Sequence, residues 1–444
     1  MDSFVGFVTR SDTIDRRQGW MAPAHEQEAG RPMSEGRSRG ADRSGEARRP
    51  ILNTHVHLPP NFSAFDTVED AVTSAAREGV RVLGASNFHD LSVYARFASI
   101  AERAGILPLF GMEFTCVVDA LQQGGTRVND PANPGRMYLC AKGIGRYATP
   151  GPEALRLMAA ARVVDEDRMR RMVARLRAWF AAAGLETSLT DALIAEDVAE
   201  RAGVPRATVV LQERHVAMAF QEALFRQADA GRRGDLLTRA FGGPPVASVE
   251  DPIAVQGEIR SRLMKAGRPA FESESPVSFE HALRLTLELE GIPCYPTLAD
   301  GASPVCPWEE PPAGLAERLL ARGIPAAELI PGRNRPEVVD AYVAAFRDAG
   351  IVVLAGTEHN TRQRIPLEPR CVDGSLPSLT ARAAFWEATC VVAAHQHLRT
   401  SGRPGYVDGQ GRLNPGFPDG EARIRWFAEL GAELIGAAPL AVAR

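Results

Sequence analysis

ILNTHVHLP at residues 51–59 is followed by DTVEDAVTSAAREG (66–79), VRVLGASNF (80–88), LSVYARFASIAERAG (91–105) and ILPLFGMEFTC (106–116). These five segments decide the fold. The first, third and fifth are short runs rich in apolar and β-branched residues, bounded by Pro, Gly and polar residues, as strands are. The second and fourth carry apolar residues at helical spacing, and each ends in Gly, a helix terminator. Asp66 is the expected N-cap of the first helix, with Glu69 three positions on to complete a capping box. A β-α-β-α-β alternation with short connections predicts parallel strands covered by helices. RMYLCAKGI (136–144) reads as the next strand.

The pattern changes between residues 151 and 267. PEALRLMAAARVVDEDRMRRMVARLRAWFAAAG, TDALIAEDVAERAG and ATVVLQERHVAMAFQEALFRQADAG all show helical spacing without an intervening strand. Alternation then resumes with SFEHALRLTLELEG (helix), IPCYPTLADG (strand), GLAERLLARG (helix), ELIPGR (strand), RPEVVDAYVAAFRDAG (helix) and IVVLAGTEHN (strand). Two further helices are expected, around SLTARAAFWEATCVVAAHQHL and DGEARIRWFAELGAELIGAA. Before residue 50 the chain is rich in Gly, Ser, Arg and Glu and poor in apolar residues. Such a leader cannot bury enough surface to offset its ordering entropy and is expected to be disordered.

Composition narrows the function classes. Of 444 residues, 45% are hydrophobic and 24% charged, which fits a globular chain and excludes a fibrous or wholly disordered one. A net charge of -4 argues against a chain-wide nucleic-acid footprint. Without an apolar run long enough to span a bilayer and without a signal pattern at the start, a cytoplasmic protein without membrane association is expected. The six cysteines are scattered and form no CxxC pair, so buried reduced thiols are expected.

Polar residues collect where the strands end: His55 and His57 on the first, Asn87 and His89 on the second, Glu113 on the third, Lys142 after the fourth, Glu358 and His359 on the last. In a parallel barrel those ends open onto one face, where active sites form. In His-x-His on a strand the two side chains point the same way. Two imidazoles with carboxylates make a nitrogen–oxygen donor set suited to Zn, Mn or Fe. A cation held with an open position acidifies its bound water to near neutral pH, the basis of metal-assisted hydrolysis.

With these residues in order, the chain resembles the polymerase and histidinol phosphatase (PHP) superfamily. The matching pieces are THVH (54–57), RVLGASNFHD (81–90), LFGMEF (109–114), PCYPTLADG (293–301) and LAGTEHN (354–360). The resemblance covers residues 51–142 and 280–365. It implies an α/β fold, a distorted seven-stranded (β/α)7 TIM-like barrel, here with a helical insertion. It also implies a metal-dependent phosphoesterase with a multinuclear site. Carried over residue by residue, the metal ligands would be His55, His57, His89, Glu113, Glu358 and, with an offset of one, His359. The family's histidines are replaced at Tyr138 and Tyr295, and a neutral tyrosine is a poor ligand. Another expected histidine is missing near Asn61 and Ser63. One or two divalent ions (Zn, Mn or Fe) are therefore expected rather than three.

The organisation that follows is a leader (1–49), a first barrel part (50–150), a helical insertion (151–267), a second barrel part (268–375) and C-terminal helices packed on the barrel (376–444). Lys142 and Arg333 are expected on the rim as catalytic clamps for a small anionic substrate. Asp300 either orients a ligand or caps its loop. His215, His281, His395 and His397 are expected to be structural, and His25 falls in the leader. AEDVAERAGVPRATVVLQER resembles two helices of a DNA-reading helix-turn-helix. It is balanced in charge and lies inside the alternation, so nucleic acid is not the expected partner. The reading is a metal-dependent hydrolase of small phosphate esters. Its alternatives are a non-catalytic metal- or ligand-binding barrel and, further off, a DNA-associated protein.

Overall fold

The structure is a computed structural model, and it describes residues 50–273 and 276–437. The expected leader lies outside the described residues. One sheet carries β1 (Ile51–Val56), β2 (Val80–Phe88), β3 (Leu107–Val117), β4 (Arg136–Lys142), a short β5 (Val277–Ser278), β6 (Ile292–Thr297), β7 (Ala326–Leu329) and β8 (Val352–Ala355). The strand order is β1-β2-β3-β4-β6-β7-β8, with β5 paired to β3 off that path. The sheet curls until its two edges meet. Val56 bridges Glu358, the Glu358 N–H donates to the His55 carbonyl at 2.8 Å, and Thr54 Oγ1 lies 2.9 Å from the Ala355 carbonyl. The result is the expected TIM-like barrel, nearly closed.

One strand departs from the parallel expectation. β4 runs antiparallel to both β3 and β6. The chain between β3 and β4 holds only the short helix α3 (Asp119–Gln123) rather than a full crossover helix, so β4 folds straight back along β3. Its ends are therefore swapped. Arg136 and Tyr138 sit at the barrel mouth beside Val117 and Thr115, and Lys142 sits deep beside Gly111 and Ile292.

Helices α1 (Val68–Glu78) and α2 (Tyr94–Arg103) cover the early strands. Thr67, not Asp66, caps α1, its side chain accepting from Asp70 N–H. The insertion is α4 (Pro152–Ala182), α5 (Asp191–Ala202), α6 (Glu213–Gln227), α7 (Ala230–Phe241) and α8 (Pro252–Ile259), which continues into a π-type turn at Arg260–Met264. The later strands are covered by α9 (Phe279–Glu288), α10 (Pro312–Leu320) and α11 (Pro336–Asp348), and the chain goes on to α12 (Leu379–Thr400) and α13 (Gly420–Ala437).

Three apolar clusters follow from this layout. Outward strand residues such as Leu83, Phe110, Met112 and Val353 pack with the covering helices. Inward residues near the strand starts, Val82, Leu109, Ile292, Ala326 and Val352, pack with Ala388 to Ala394 of α12, which closes that end of the barrel. The insertion has a cluster of its own, including Met172, Leu176, Phe180, Phe220 and Leu237. Each large side chain so buried contributes about 1.5–3 kcal/mol. All six cysteines are buried free thiols.

Candidate metal and anion site

Two glycines let the first strand take its place. A Cβ at Gly84 of β2 would stand 2.5 Å from the Thr54 carbonyl oxygen, and one at Gly356 would overlap the His55 side chain. With no side chains there, β1 is gripped from both sides and its His-x-His pair turns into the barrel. His55 and His57 are buried, and their Nε2 atoms face each other at 3.4 Å. Glu113 of β3 reaches in from the neighbouring wall, Oε2 lying 3.2 Å from His57 Nε2. One donor atom from each of these three residues falls within 4.8 Å of the others. Two imidazole nitrogens and a carboxylate at that spacing suit Zn, Mn or Fe.

The remaining expected ligands fare differently. Glu358 stands beside the pair, but its carboxylate is engaged by Arg333 and by the Asn360 amide. Burial alone would raise its pKa; Arg333, His55 and His57 outweigh burial and hold it at about 2. His89 is buried against Asp165 of α4, Nδ1 to Oδ2 at 2.9 Å, and neither ring nitrogen makes a well-directed hydrogen bond. His359 turns away from the cluster. Its Nδ1 meets Thr357 Oγ1 at 2.6 Å, its Nε2 meets the Ile365 carbonyl at 3.0 Å, and its ring stacks on Phe65. With both nitrogens occupied, it is no ligand in this arrangement. His89, Glu358 and His359 all hold φ between 49° and 64°, a costly left-handed conformation that tends to persist where function holds it.

Lys142 is not on the rim. Because β4 is reversed, its ammonium lies inside the barrel and is 3% exposed. Nζ donates to the Thr54 carbonyl (3.0 Å), Ser86 Oγ (2.9 Å) and Glu328 Oε1 (2.8 Å), which uses all three N–H groups. It has none left for a substrate. Arg333 does reach the mouth, where it is held by Glu358. Tyr138 lines the mouth as well, its phenol pushed up to about 12 by burial. Tyr295 faces the outer helix layer instead and donates to Glu309 at 2.8 Å, so it could not stand in for an inward ligand. Asp300 accepts from Asn334 and Arg335, which makes it a loop tie. His215 accepts from the Gln212 N–H, His281 meets the Leu157 carbonyl, and His395 lies between Glu290 and Tyr406.

Two features were not found from the sequence. The first is Glu328, fully buried in β7, which receives Thr54, Lys142 and His55. A lone carboxylate inside the apolar run AAELI was the available signal. The second is the roof. A cavity of about 420 Å³ is lined by His57 and Glu113, and the insertion supplies its upper wall. There Glu213 accepts from Arg168 (2.5 Å), Arg260 (3.0 Å) and Lys265 (2.6 Å). Burial raises Glu213, but Lys265, Arg260 and Arg168 outweigh it and hold the carboxyl at about 2. Arg168, Arg260 and Lys265 face Glu213 and Asp165 on this wall, so it keeps excess positive charge. Arg214 adds to it: it lines the cavity and, among the described residues, has no ion-pair or hydrogen-bond partner. Burial, with Arg260 and Arg333 close by, lowers its guanidinium to about 10. The suspected helix-turn-helix resolves into α5 and α6 separated by residues 203–212, longer than the three or four residues such a turn uses.

No family model matches the chain, and no curated protein matches it. Solved structures do. A protein from Bifidobacterium adolescentis, provisionally assigned as a metal-dependent phosphoesterase, aligns with 14% identity over 76% of this chain and 96% of its own, with a TM-score of 0.50. An amidohydrolase from Chromobacterium violaceum, solved with bound sulfate and no metal, aligns with 17% identity over 75% and 96%, with a TM-score of 0.47. At such identity the likeness concerns the fold, and the fold is the barrel that the PHP resemblance implied. No helix among the described residues is long and apolar enough to cross a membrane.

Proposed function

We propose that this protein is a metal-dependent hydrolase acting on small phosphate esters. The observation that carries this reading is the meeting of His55, His57 and Glu113, the last two lining a cavity whose roof is cationic. The donor set fits a divalent transition metal by its chemistry and spacing, and the ring of His55 is braced from behind by Glu328 at 2.6 Å, as metal-binding histidines commonly are. His55, His57 and Glu113 would hold the ion, with Glu358 beside them. When bound, such an ion supplies Lewis-acid charge and a water acidified toward neutral pH.

The chain's own groups do the rest. Arg214, unpaired and facing the cavity, takes a phosphoryl oxygen in a charge-assisted hydrogen bond. Arg260 and Lys265, tied back by Glu213, keep the field positive where the anion sits. Arg333 and Glu358 hold each other at the mouth, near Arg214, ready to orient the ester. Phe62, Phe88 and Met169 supply apolar wall for the leaving alcohol and limit the water present. The described groups favour a small-molecule anion as partner.

The test is metal content by mass spectrometry on protein purified without chelator, beside a His55→Ala/Glu113→Ala variant, followed by hydrolysis of a panel of phosphate monoesters. At least one equivalent of metal in the wild type, lost in the variant, with turnover abolished by His57→Ala, is the expected result. Turnover that survives both chelation and His57→Ala would refute the reading. A second reading, a metal- or ligand-binding barrel without turnover, draws on the engagement of Glu358 by Arg333 and the outward turn of His359. Metal binding with no hydrolysis across the panel would favour it.

A further inference from the structure

Beneath the mouth lies a second polar layer, of which the proposed reaction uses only His55 directly. It is made of Thr54, His55, Ser86, Lys142 and Glu328, contributed by four strands, and every member is buried. Glu328 is fully enclosed, and its two oxygens have separate tasks. Oε1 receives Lys142 at 2.8 Å and Thr54 Oγ1 at 2.7 Å, while Oε2 lies 2.6 Å from His55 Nδ1. The Lys142 ammonium is a donor only and spends its three protons on Thr54, Ser86 and Glu328. It stands 3.4 Å from His55 Nδ1 and has no proton left for it. An ionised carboxylate only accepts. The bond between Nδ1 and Oε2 therefore requires the proton on Nδ1, and in a neutral ring that leaves the Nε2 lone pair facing His57 and Glu113.

We infer that Glu328 and Lys142 act together as positioning residues, fixing His55 as its Nδ1–H tautomer so that Nε2 is presented as a ligand atom. Glu328 supplies the acceptor. Lys142 supplies the charge that makes an isolated carboxylate tolerable at the centre of a barrel, where an unpaired one is strongly disfavoured. The ammonium can do this because β4 is reversed. A parallel fourth strand would have carried residue 142 to the mouth. The inner cluster of His55, Cys140 and Glu328 could itself attract a cation by its donor types, but Lys142 already supplies the neutralising charge there. The role of Nε2 as a ligand rests on the metal-site reading; the tautomer does not.

The experiment has two readouts on full-length protein: long-range proton–nitrogen NMR of the histidine rings in chelated, metal-free protein, and zinc affinity by competition with a chromophoric chelator. The wild type is expected to show His55 with its proton on Nδ1. In Lys142→Met/Glu328→Leu, which removes both charges and preserves bulk, that preference is expected to vanish and zinc affinity to fall about 10–100-fold. Glu328→Gln, which keeps an acceptor oxygen at the same place, is expected to restore most of both. A wild-type His55 protonated on Nε2 would overturn the inference. So would a double variant that folds with tautomer and zinc affinity unchanged, since that would make the layer purely structural. Should the double variant fail to fold, the wild-type spectrum and the Glu328→Gln variant still decide. Absence of zinc binding by a wild type with the expected tautomer would refute the metal reading and leave the positioning claim intact.

Discussion

Replacing Glu213 by Gln tests how the roof is held. The carboxylate ties Arg168 of α4 to Arg260 and Lys265 beyond α8, with only 10% of its own side chain exposed. Its fall from an ordinary 4.5 to about 2 corresponds to about 3 kcal/mol of preference for the ionised form in the folded protein. That figure is a ceiling. Arg168 and Lys265 are themselves lowered, because burial costs them more than Glu213 returns. A net loss of about 2 kcal/mol at pH 7 is the expectation for Glu213→Gln. The pH dependence has a definite sign. A depressed carboxylate contributes fully above its unfolded value near 4.5 and loses that contribution as pH falls toward about 2. The gap between wild type and variant should therefore shrink by about 1.4 kcal/mol per pH unit below 4.5. Urea unfolding followed by far-UV circular dichroism at pH 7 and pH 3.5 measures both numbers. A loss under about 0.5 kcal/mol at pH 7, the level of an ordinary surface substitution, would refute the argument. So would an equal loss at the two pH values.

Three further outcomes follow from the geometry. Arg214→Gln should raise KM for a phosphate monoester at least several-fold with a smaller change in kcat, because the guanidinium binds the anion before and during reaction; steady-state kinetics would show it, and an unchanged KM would remove Arg214 from the site. His395 and His215 are both held at about 3, burial disfavouring their charged forms. Being depressed, they contribute stability that is complete above 6.5 and lost toward 3, so wild-type unfolding free energy should fall by at least about 1.4 kcal/mol per pH unit between 6.5 and 5; a flat profile there contradicts the assignment. Gly356→Ala should cost about 1–3 kcal/mol and impair metal binding, since the added methyl would overlap His55 and force β8 away from β1; wild-type unfolding midpoint and metal content in the variant would speak against it.

The barrel and the meeting of His55, His57 and Glu113 could be read from the chain because they depend on local signals. Strand and helix periods, terminal glycines and the His-x-His spacing are visible over a few residues, and His55, His57 and Glu113 occupy strand positions that such patterns locate. What escaped depends on direction and distance. The reversal of β4 turns on the connection between residues 118 and 135, whose path a periodicity argument does not see, and with it went the placement of Lys142. Tyr295 and Pro296 differ by one position, enough to send one outward and the other into the mouth. His359 was drawn away by local partners, Thr357 and Ile365, that compete for its ring nitrogens. Glu328 and the Glu213 cluster are meaningful only through partners far along the chain.

That separation has a consequence for synthesis. His55 and Glu328 are 273 residues apart. At about 5–20 residues per second, a ribosome needs roughly 15–55 s to deliver the second after the first. Throughout that interval the β1 strand, with its paired imidazoles, has emerged without the wall that orients it, and α12, which closes the barrel's far end, is still to come. A nascent chain in this state carries an unpaired strand edge. Orientation of the His55 ring is then a late event, which waits for β7 to deliver Glu328.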